Sequence, residues 1–213
     1  MSYPVTFQVE YPERLSRLTT FFRAFMLIPQ AIVYVFVSIA GYVIMFLSWW
    51  AILFTGRYPK TFFSFITWCL RWGARLSAYY ALLTDKYPPF SGRDMPDYPV
   101  IFNVEPAEKL NRLTTFFRFP VFIMPNFVIG QGWHWQVQPS AGMPMTIPHL
   151  IILYFISIAA AVIMFLSWWA ILFTGRYPKA FFNFITWWLR WSTRVSGYSY
   201  LVTDKYPPFN GSE

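Results

Sequence analysis

The sequence is poor in charge and in cysteine. Only 12% of its 213 residues are charged, about half of the roughly 25% that is typical of soluble globular domains. This scarcity argues against an ordinary cytosolic enzyme domain, and an aromatic content of 23% argues against an intrinsically disordered segment. The single cysteine, Cys69, excludes an internal disulfide and a thiolate metal cluster.

Residue groups that are typical of catalysis are also missing. Two histidines, His134 and His149, leave little material for a metal site or a Ser-His-Asp triad, and no glycine-rich phosphate loop is present. We therefore expect a protein that is not an enzyme and that needs no metal or cofactor. One alternative is that His134 binds a haem, a chlorin or a metal. Its neighbours Trp133 and Trp135 favour instead a contact with a partner or with the membrane interface.

Two long apolar runs indicate a membrane protein. They are QAIVYVFVSIAGYVIMFLSWWAILF (30–54) and HLIILYFISIAAAVIMFLSWWAILF (149–173). At 1.5 Å per residue, a 25-residue helix is roughly 37 Å long, which exceeds the roughly 30 Å of a hydrocarbon core. The paired tryptophans near the end of each run precede Thr-Gly-Arg-Tyr-Pro-Lys, a pattern of aromatic and basic residues that marks a membrane boundary. We expect an integral protein of the cell membrane.

The two halves of the chain repeat one another. Residues 4–23 recur at 99–118 with an offset of 95, and 43–60 recur unchanged at 162–179 with an offset of 119. The change of offset places an insertion near 130–148, whose Gly, Pro, Gln and Trp content predicts a loop. The predicted domains are repeat one (1–92) and repeat two (93–213), the second carrying this loop.

The predicted fold is that of a mainly α membrane protein with two tandem repeats. Each repeat has a short strand (5–9 in the first), a basic turn or helix (15–25), one long transmembrane helix and a helix that bears arginines. A further strand is expected near 80–85, and the strands are expected to form a small sheet outside the membrane. Whether the arginine helix spans the membrane or lies at its surface stays open, as does the number of crossings.

Eight cations have no acidic neighbour in sequence, and they equal the net charge of +8. They are Arg57, Lys60, Arg71, Arg75, Arg176, Lys179, Arg190 and Arg194. Because buried or half-buried cations need counter-ions, we predict that these residues bind anionic lipid headgroups. The alternatives are plain interfacial anchoring, with the arginines reaching to the water, or pairing with Glu10, Glu13 or Asp85.

The motifs FLSWWAILFTGRYPK, LRWxxR and LTDKYPPF resemble those of the DUF4389 family of bacterial and archaeal membrane proteins. The resemblance covers nearly the whole chain except the insertion, because the motifs occur twice. It implies a small integral membrane protein and implies no catalytic residue.

Two functions are compatible with these features. The first is an accessory or scaffold subunit of a larger membrane complex, with Trp133, His134 and Trp135 contacting other subunits or a second copy. The second is a lipid-binding or membrane-organising module in which the paired arginines hold anionic headgroups. Nucleic acid is not an expected partner, because the basic residues are interleaved with membrane-type segments.

Overall fold

The computed structural model describes residues 3–107, 109–118 and 146–212. Its elements, in chain order, are β1 (Val5–Val9), α1 (Arg17–Thr55), α2 (Lys60–Tyr80), β2 (Val100–Val104), α3 (Arg112–Phe116), α4 (Ile147–Thr174) and α5 (Lys179–Ser199). The described part is mainly helical and carries two long apolar helices and a small sheet, which confirms this much of the predicted fold. Both α1 and α4 are long and apolar enough to cross a membrane.

Helix α1 is a single helix of 39 residues. It begins after Ser16, whose side chain accepts a hydrogen bond from Thr19 N, and it ends at Gly56 with a left-handed φ of 70°. The predicted separation of a basic segment (15–25) from the apolar run is therefore wrong. Apolar residues continue at helical spacing through both segments, and Pro29 does not end the helix.

The strand predicted near 80–85 is also wrong. The chain instead leaves α2 through a turn in which Leu83 N donates to Ala78 O and Leu82 has a φ of 66°. Leu201 adopts the same conformation after α5, with a φ of 63°. The apolar residues Ala81, Leu82 and Leu83 of this segment are buried although they belong to a turn and not to a β-strand.

The sheet is made by one strand from each repeat. β1 and β2 pair antiparallel, and Phe7 lies opposite Phe102 at the centre of the register. These two phenylalanines are equivalent in the repeat, because 95 residues separate them. The register is therefore symmetric about a pseudo-twofold axis that passes between them.

Hydrogen bonds between the repeats come in equivalent pairs. The donor–acceptor pairs are Arg71–Phe102 with Arg190–Phe7, Trp49–Thr115 with Trp168–Thr20, and Leu110–Gly56 with Leu15–Gly175. In each pair the donor and the acceptor exchange repeats. The pseudo-twofold symmetry of the sheet thus extends to the helices, and each strand packs on the arginine helix of the other repeat.

This symmetry fixes the direction of the long helices. Leu15 N donates to Gly175 O at 3.0 Å, so the start of α1 lies beside the end of α4. Two residues that a twofold rotation interchanges lie at the same height along the rotation axis. Gly175 and Gly56, which follow the ends of α4 and α1, are such a pair. Both ends of α1 therefore lie at one height, and α1 runs perpendicular to the axis.

The molecule is layered along this axis. Helix α2 contacts α1 through the hydrogen bond from Trp72 Nε1 to Gln30 Oε1, and it contacts β2 through Arg71. Helix α5 makes the equivalent contacts to α4 and β1. The long helices thus form one outer layer, α2 and α5 form the middle layer, and the sheet forms the other side.

Candidate functional site

Two of the predicted arginines, Arg71 and Arg190, connect the middle layer to the sheet by hydrogen bonds. Arg71 Nε donates to Phe102 O at 3.0 Å and its Nη1 donates to Gly92 O at 3.1 Å. Arg190 makes the equivalent bonds to Phe7 O and Gly211 O, both at 3.0 Å. Each guanidinium thus joins the other repeat's strand to the closing segment of its own repeat.

The two residues whose carbonyls accept these bonds, Gly92 and Gly211, have to be glycines. A Cβ at Gly92 would stand 1.8 Å from Trp68 O, and a Cβ at Gly211 would stand 1.9 Å from Trp187 O. No other residue fits this approach of the closing segment to the helix, because the opposing atom belongs to the backbone. The YPPF-x-G ending of each repeat is therefore a contact with the arginine helix.

The second pair, Arg75 and Arg194, is more deeply buried than the first. Arg75 Nη1 donates to Ser91 O at 3.2 Å, and its Cζ lies 5.1 Å from the centre of the Tyr98 ring. Arg194 Nη1 donates to Asn210 O at 3.3 Å, and its Cζ lies 5.6 Å from the centre of the Tyr3 ring. Burial lowers the pKa of both guanidinium groups, and so does the like charge of the neighbouring arginine on the same helix.

The other four predicted cations lie elsewhere. Arg57 and Lys60 follow the end of α1, and Arg176 and Lys179 follow the end of α4; all four are exposed. Exposed tryptophans, Trp50 and Trp169, lie within the last two turns of the same helices. The eight cations thus form two groups: four at the ends of the long helices, and four that contact backbone carbonyls or aromatic rings around the sheet.

Asp85 pairs with a cation that the sequence analysis did not single out. The carboxylate accepts from Arg23 Nη2 at 2.6 Å, and the same guanidinium donates to Tyr79 O and Thr84 O. The suggested pairing of Asp85 with one of the eight predicted cations is therefore wrong. A signal existed, because the TTFFR and TDKYPP motifs recur together in both repeats.

Repeat two contains the equivalent ion pair, between Arg118 and Asp204. Arg118 is fully buried, and its Nη1 also donates to Tyr198 O and Thr203 O. In both repeats the pair joins the start of the first helical segment to the turn after the arginine helix. It positions these elements with respect to one another.

Large apolar side chains cover the outer face of each long helix. Along α1, from Leu18 to Phe54, an exposed apolar residue recurs at helical spacing. The exposed large apolar side chains of this face are Leu18, Phe21, Phe22, Phe25, Ile28, Ile32, Val33, Phe36, Ile39, Val43, Leu47, Trp50 and Phe54. Helix α4 carries a similar face from Ile147 to Phe173. Faces of this extent are rare on monomeric soluble proteins and mark a membrane or protein contact.

The predicted partner contact at Trp133, His134 and Trp135 falls outside the described residues. Within the described ranges, no group of three His, Cys, Asp or Glu side chains is placed to hold a metal ion. The other histidine, His149, is buried in α4, where its Nδ1 accepts a hydrogen bond from Trp191 Nε1 at 3.1 Å.

Comparison with protein families decides the relationship. The model of DUF4389, a domain of unknown function, matches residues 17–92 and 144–210, which together make up more than half of the chain. The chain belongs to the DUF4389 family. The two matched segments of the DUF4389 domain agree with a tandem duplication, and both include the arginine helix and the closing segment. Comparison with curated proteins and with solved structures found no match.

Proposed function

We propose that this DUF4389 protein is a non-catalytic membrane scaffold that organises lipids and whose long helices lie in the plane of the bilayer. The observation that carries the proposal is the apolar outer face of α1. From Leu18 to Phe54 this face extends about 54 Å along the helix, which is nearly twice the thickness of a hydrocarbon core. An upright helix would leave much of this apolar surface in water.

The layered symmetry supports the same placement. The long helices run perpendicular to the pseudo-twofold axis, so they would cross the bilayer only if the axis lay in the membrane plane. That orientation would place the sheet at mid-membrane depth, together with the exposed charges of Lys86, Asp97 and Lys205. Charges there are costly. With the axis along the membrane normal, the sheet and these charges face water and the apolar faces enter the lipid.

The cations at the helix ends support contact with lipid headgroups. Arg57, Lys60, Arg176 and Lys179 are exposed and follow the last turn of an apolar helix that carries an exposed tryptophan. Basic residues at this level attract anionic lipids with about 1 kcal/mol each. In the proposal these four residues hold the headgroups. The four arginines of α2 and α5 have backbone-carbonyl partners in the protein instead.

Sided labelling of sealed vesicles tests the placement. Cysteines replace Gln8, Arg14 or Arg57 one at a time in a Cys69→Ala chain, and a membrane-impermeant maleimide is added from one side. Because both ends of α1 and the outer face of the sheet lie on one side, all three positions should label together. Labelling of Arg14→Cys and Arg57→Cys from opposite sides would show that α1 crosses the bilayer. Release of the chain by alkaline carbonate would refute membrane embedding altogether.

The same vesicles test the headgroup contact. We expect that changing Arg57, Lys60, Arg176 and Lys179 together to glutamine removes the preference for vesicles with anionic phosphatidylglycerol over neutral phosphatidylcholine. Binding to neutral vesicles should persist, because the apolar faces are unchanged. An unaltered preference would show that these cations do not recognise the headgroups.

The role of an accessory subunit stays a prediction from sequence. It depends on Trp133, His134 and Trp135, which the structure does not describe. The exposed apolar faces are compatible with a membrane-protein partner as well as with lipid, and co-purification from the native membrane distinguishes the two.

A further inference from the structure

Two cavities adjoin beside the first half of α1. The larger, of about 470 Å³, is a groove, and no charged residue is among its described lining residues. Apart from Ala24 and Tyr80, its described wall consists of Leu27, Ile28, Ala31, Ile32, Val35 and Phe36. These six side chains recur at the spacing of one helical face, so the groove follows α1 from Ala24 to Phe36 for roughly 18 Å.

The second cavity, of about 380 Å³, gives the groove a polar end. Ala24 and Tyr80 line this cavity as well, so the two cavities share part of their walls. The wall of the second cavity also contains Thr20 and Arg23 of α1 and Trp168 of α4. A polar part between the two long helices is thus followed by an apolar part along α1, which is the order of groups in an amphiphilic molecule.

Two buried polar atoms at this polar end have no hydrogen-bond partner among the described residues. They are Thr20 Oγ1 and Arg23 Nε, in residues that are 1% and 3% exposed. Both groups can donate a hydrogen bond, and a buried donor without an acceptor is costly. An acceptor that reaches these two side chains from the cavity would remove this cost.

The acceptor that fits is a neutral one. The guanidinium of Arg23 already has a counter-charge, because the carboxylate of Asp85 lies 2.6 Å from its Nη2, and a second anion in the same buried place would be uncompensated. The equivalent arginine of repeat two shows what its Nε takes: Arg118 Nε donates to Thr114 O, a neutral carbonyl, at 3.3 Å. The matching carbonyl in repeat one, Thr19 O, lies inside the continuous helix α1 and accepts the backbone N–H of Arg23.

We infer that the groove binds one acyl chain of a membrane glycerolipid, whose ester carbonyl accepts hydrogen bonds from Thr20 and Arg23. The chain lies along residues 27–36 of α1. This inference rests on the proposed function, because the groove opens on the apolar face that is proposed to contact the bilayer, and Ile28, Ile32 and Phe36 belong to both. It adds the chemical group by which this protein holds a lipid.

Photo-crosslinking of the full chain in a non-ionic detergent tests the site. The probe is a phosphatidylcholine with a diazirine at the end of one acyl chain, and the competitors are unlabelled diester phosphatidylcholine and its diether analogue, which lacks the carbonyl. We expect the diester to suppress labelling of residues 27–36 at about tenfold lower concentration than the diether. Over residues 39–54, which are not in the described wall of the groove, both competitors should act alike. The neutral headgroup keeps the exposed cations at the helix ends out of the comparison.

Three variants separate recognition from folding. Thr20→Val should reduce the preference for the diester at residues 27–36 severalfold without unfolding the chain, because Thr20 Oγ1 has no described partner to lose. Ala24→Phe fills the wall that the two cavities share, from an exposed position, and should lower labelling of residues 27–36 severalfold. The matched control is Ala40→Phe, the same change at an exposed alanine of α1 outside the described wall, which should leave this labelling unchanged.

The inference fails if the diester and the diether compete equally in the wild-type chain, or if folded Thr20→Val keeps the full preference. It also fails if Ala24→Phe and Ala40→Phe give the same labelling of residues 27–36. Neither result would change the outcome of sided labelling at the two ends of α1. If sided labelling instead showed that α1 crosses the bilayer while the diester preference persisted, the lipid site would stand and only the in-plane placement would fall.

Discussion

Repeat one and repeat two place different side chains against the same buried tryptophan. In repeat one, Trp72 Nε1 donates to Gln30 Oε1 at 3.0 Å, and Gln30 Nε2 donates to Pro88 O. In repeat two, Trp191 Nε1 donates to His149 Nδ1 at 3.1 Å, and among the described residues His149 Nε2 has no hydrogen-bond partner. The His149 ring stacks instead on Phe209, with ring centres 3.9 Å apart.

The residue beside the tryptophan differs between the repeats, whereas the buried ion pair is present in both. Arg23 with Asp85 and Arg118 with Asp204 join equivalent elements and donate to equivalent carbonyls. Removing the partner of a buried guanidinium leaves an uncompensated charge inside the protein, which is strongly destabilising. A neutral side chain beside the tryptophan needs only one acceptor for the indole N–H, which either glutamine or histidine supplies. The two repeats therefore keep the buried ion pair and differ in the neutral hydrogen-bonding partner of the tryptophan.

The largest effect is expected when the shared ion pairs are broken. Asp85→Asn and Asp204→Asn each leave a buried arginine without its counter-charge, so each should lower the free energy of unfolding by about 3–5 kcal/mol. Denaturant titration in detergent measures this, with the exposed Asp97→Asn as a control that should change it by less than about 0.5 kcal/mol. If one of the two variants lost much of its free energy of unfolding and the other lost none, the ion pairs of the two repeats would not be equivalent in stability.

A smaller effect is expected at the position where the repeats differ. His149→Gln introduces the side chain of repeat one, whose amide can donate to the carbonyl of Pro207 as Gln30 does to Pro88. We expect a gain of roughly 1 kcal/mol in unfolding free energy, which is typical of one satisfied hydrogen bond, less what the lost Phe209 stacking contributes. The reciprocal Gln30→His should destabilise by a similar amount. If both variants were neutral, the unsatisfied nitrogen would not account for the difference.

Some of this organisation could be predicted from the sequence, and some could not. The apolar runs, the tandem repeat and the strands at 5–9 and 100–104 follow from local patterns, and the structure contains them. The exchange of strands between repeats could not be predicted, because strand pairing across 95 residues leaves no local signal. The Arg23–Asp85 pair is equally distant, since 62 residues separate its members.

The arginine helix shows why the candidate site was only partly predictable. Aromatic residues around most of α2 indicated a helix in the membrane or at its surface, yet Ile66, Cys69 and Trp72 are buried within the protein. A helix packed between two protein layers and a helix embedded in lipid have the same apolar pattern, because both environments exclude water. Only the packing of α1 on one side and of the sheet on the other identifies the middle layer.

The smallest effect is expected where Cys69 in repeat one matches Trp188 in repeat two. Burial raises the pKa of the Cys69 thiol from 9.0 to about 12, so the thiol stays protonated in the folded chain while the unfolded chain ionises near pH 9. The resulting contribution to stability is complete below pH 9 and is lost progressively as the pH rises toward 12. Between pH 8 and pH 9.5 the wild-type chain should lose under about 1 kcal/mol of unfolding free energy more than Cys69→Ala loses. Equal losses, or rapid maleimide labelling of the folded wild-type chain at pH 8, would show that the thiol is accessible. Repeat one would then be less tightly packed at this position than repeat two, where a tryptophan fills the same place.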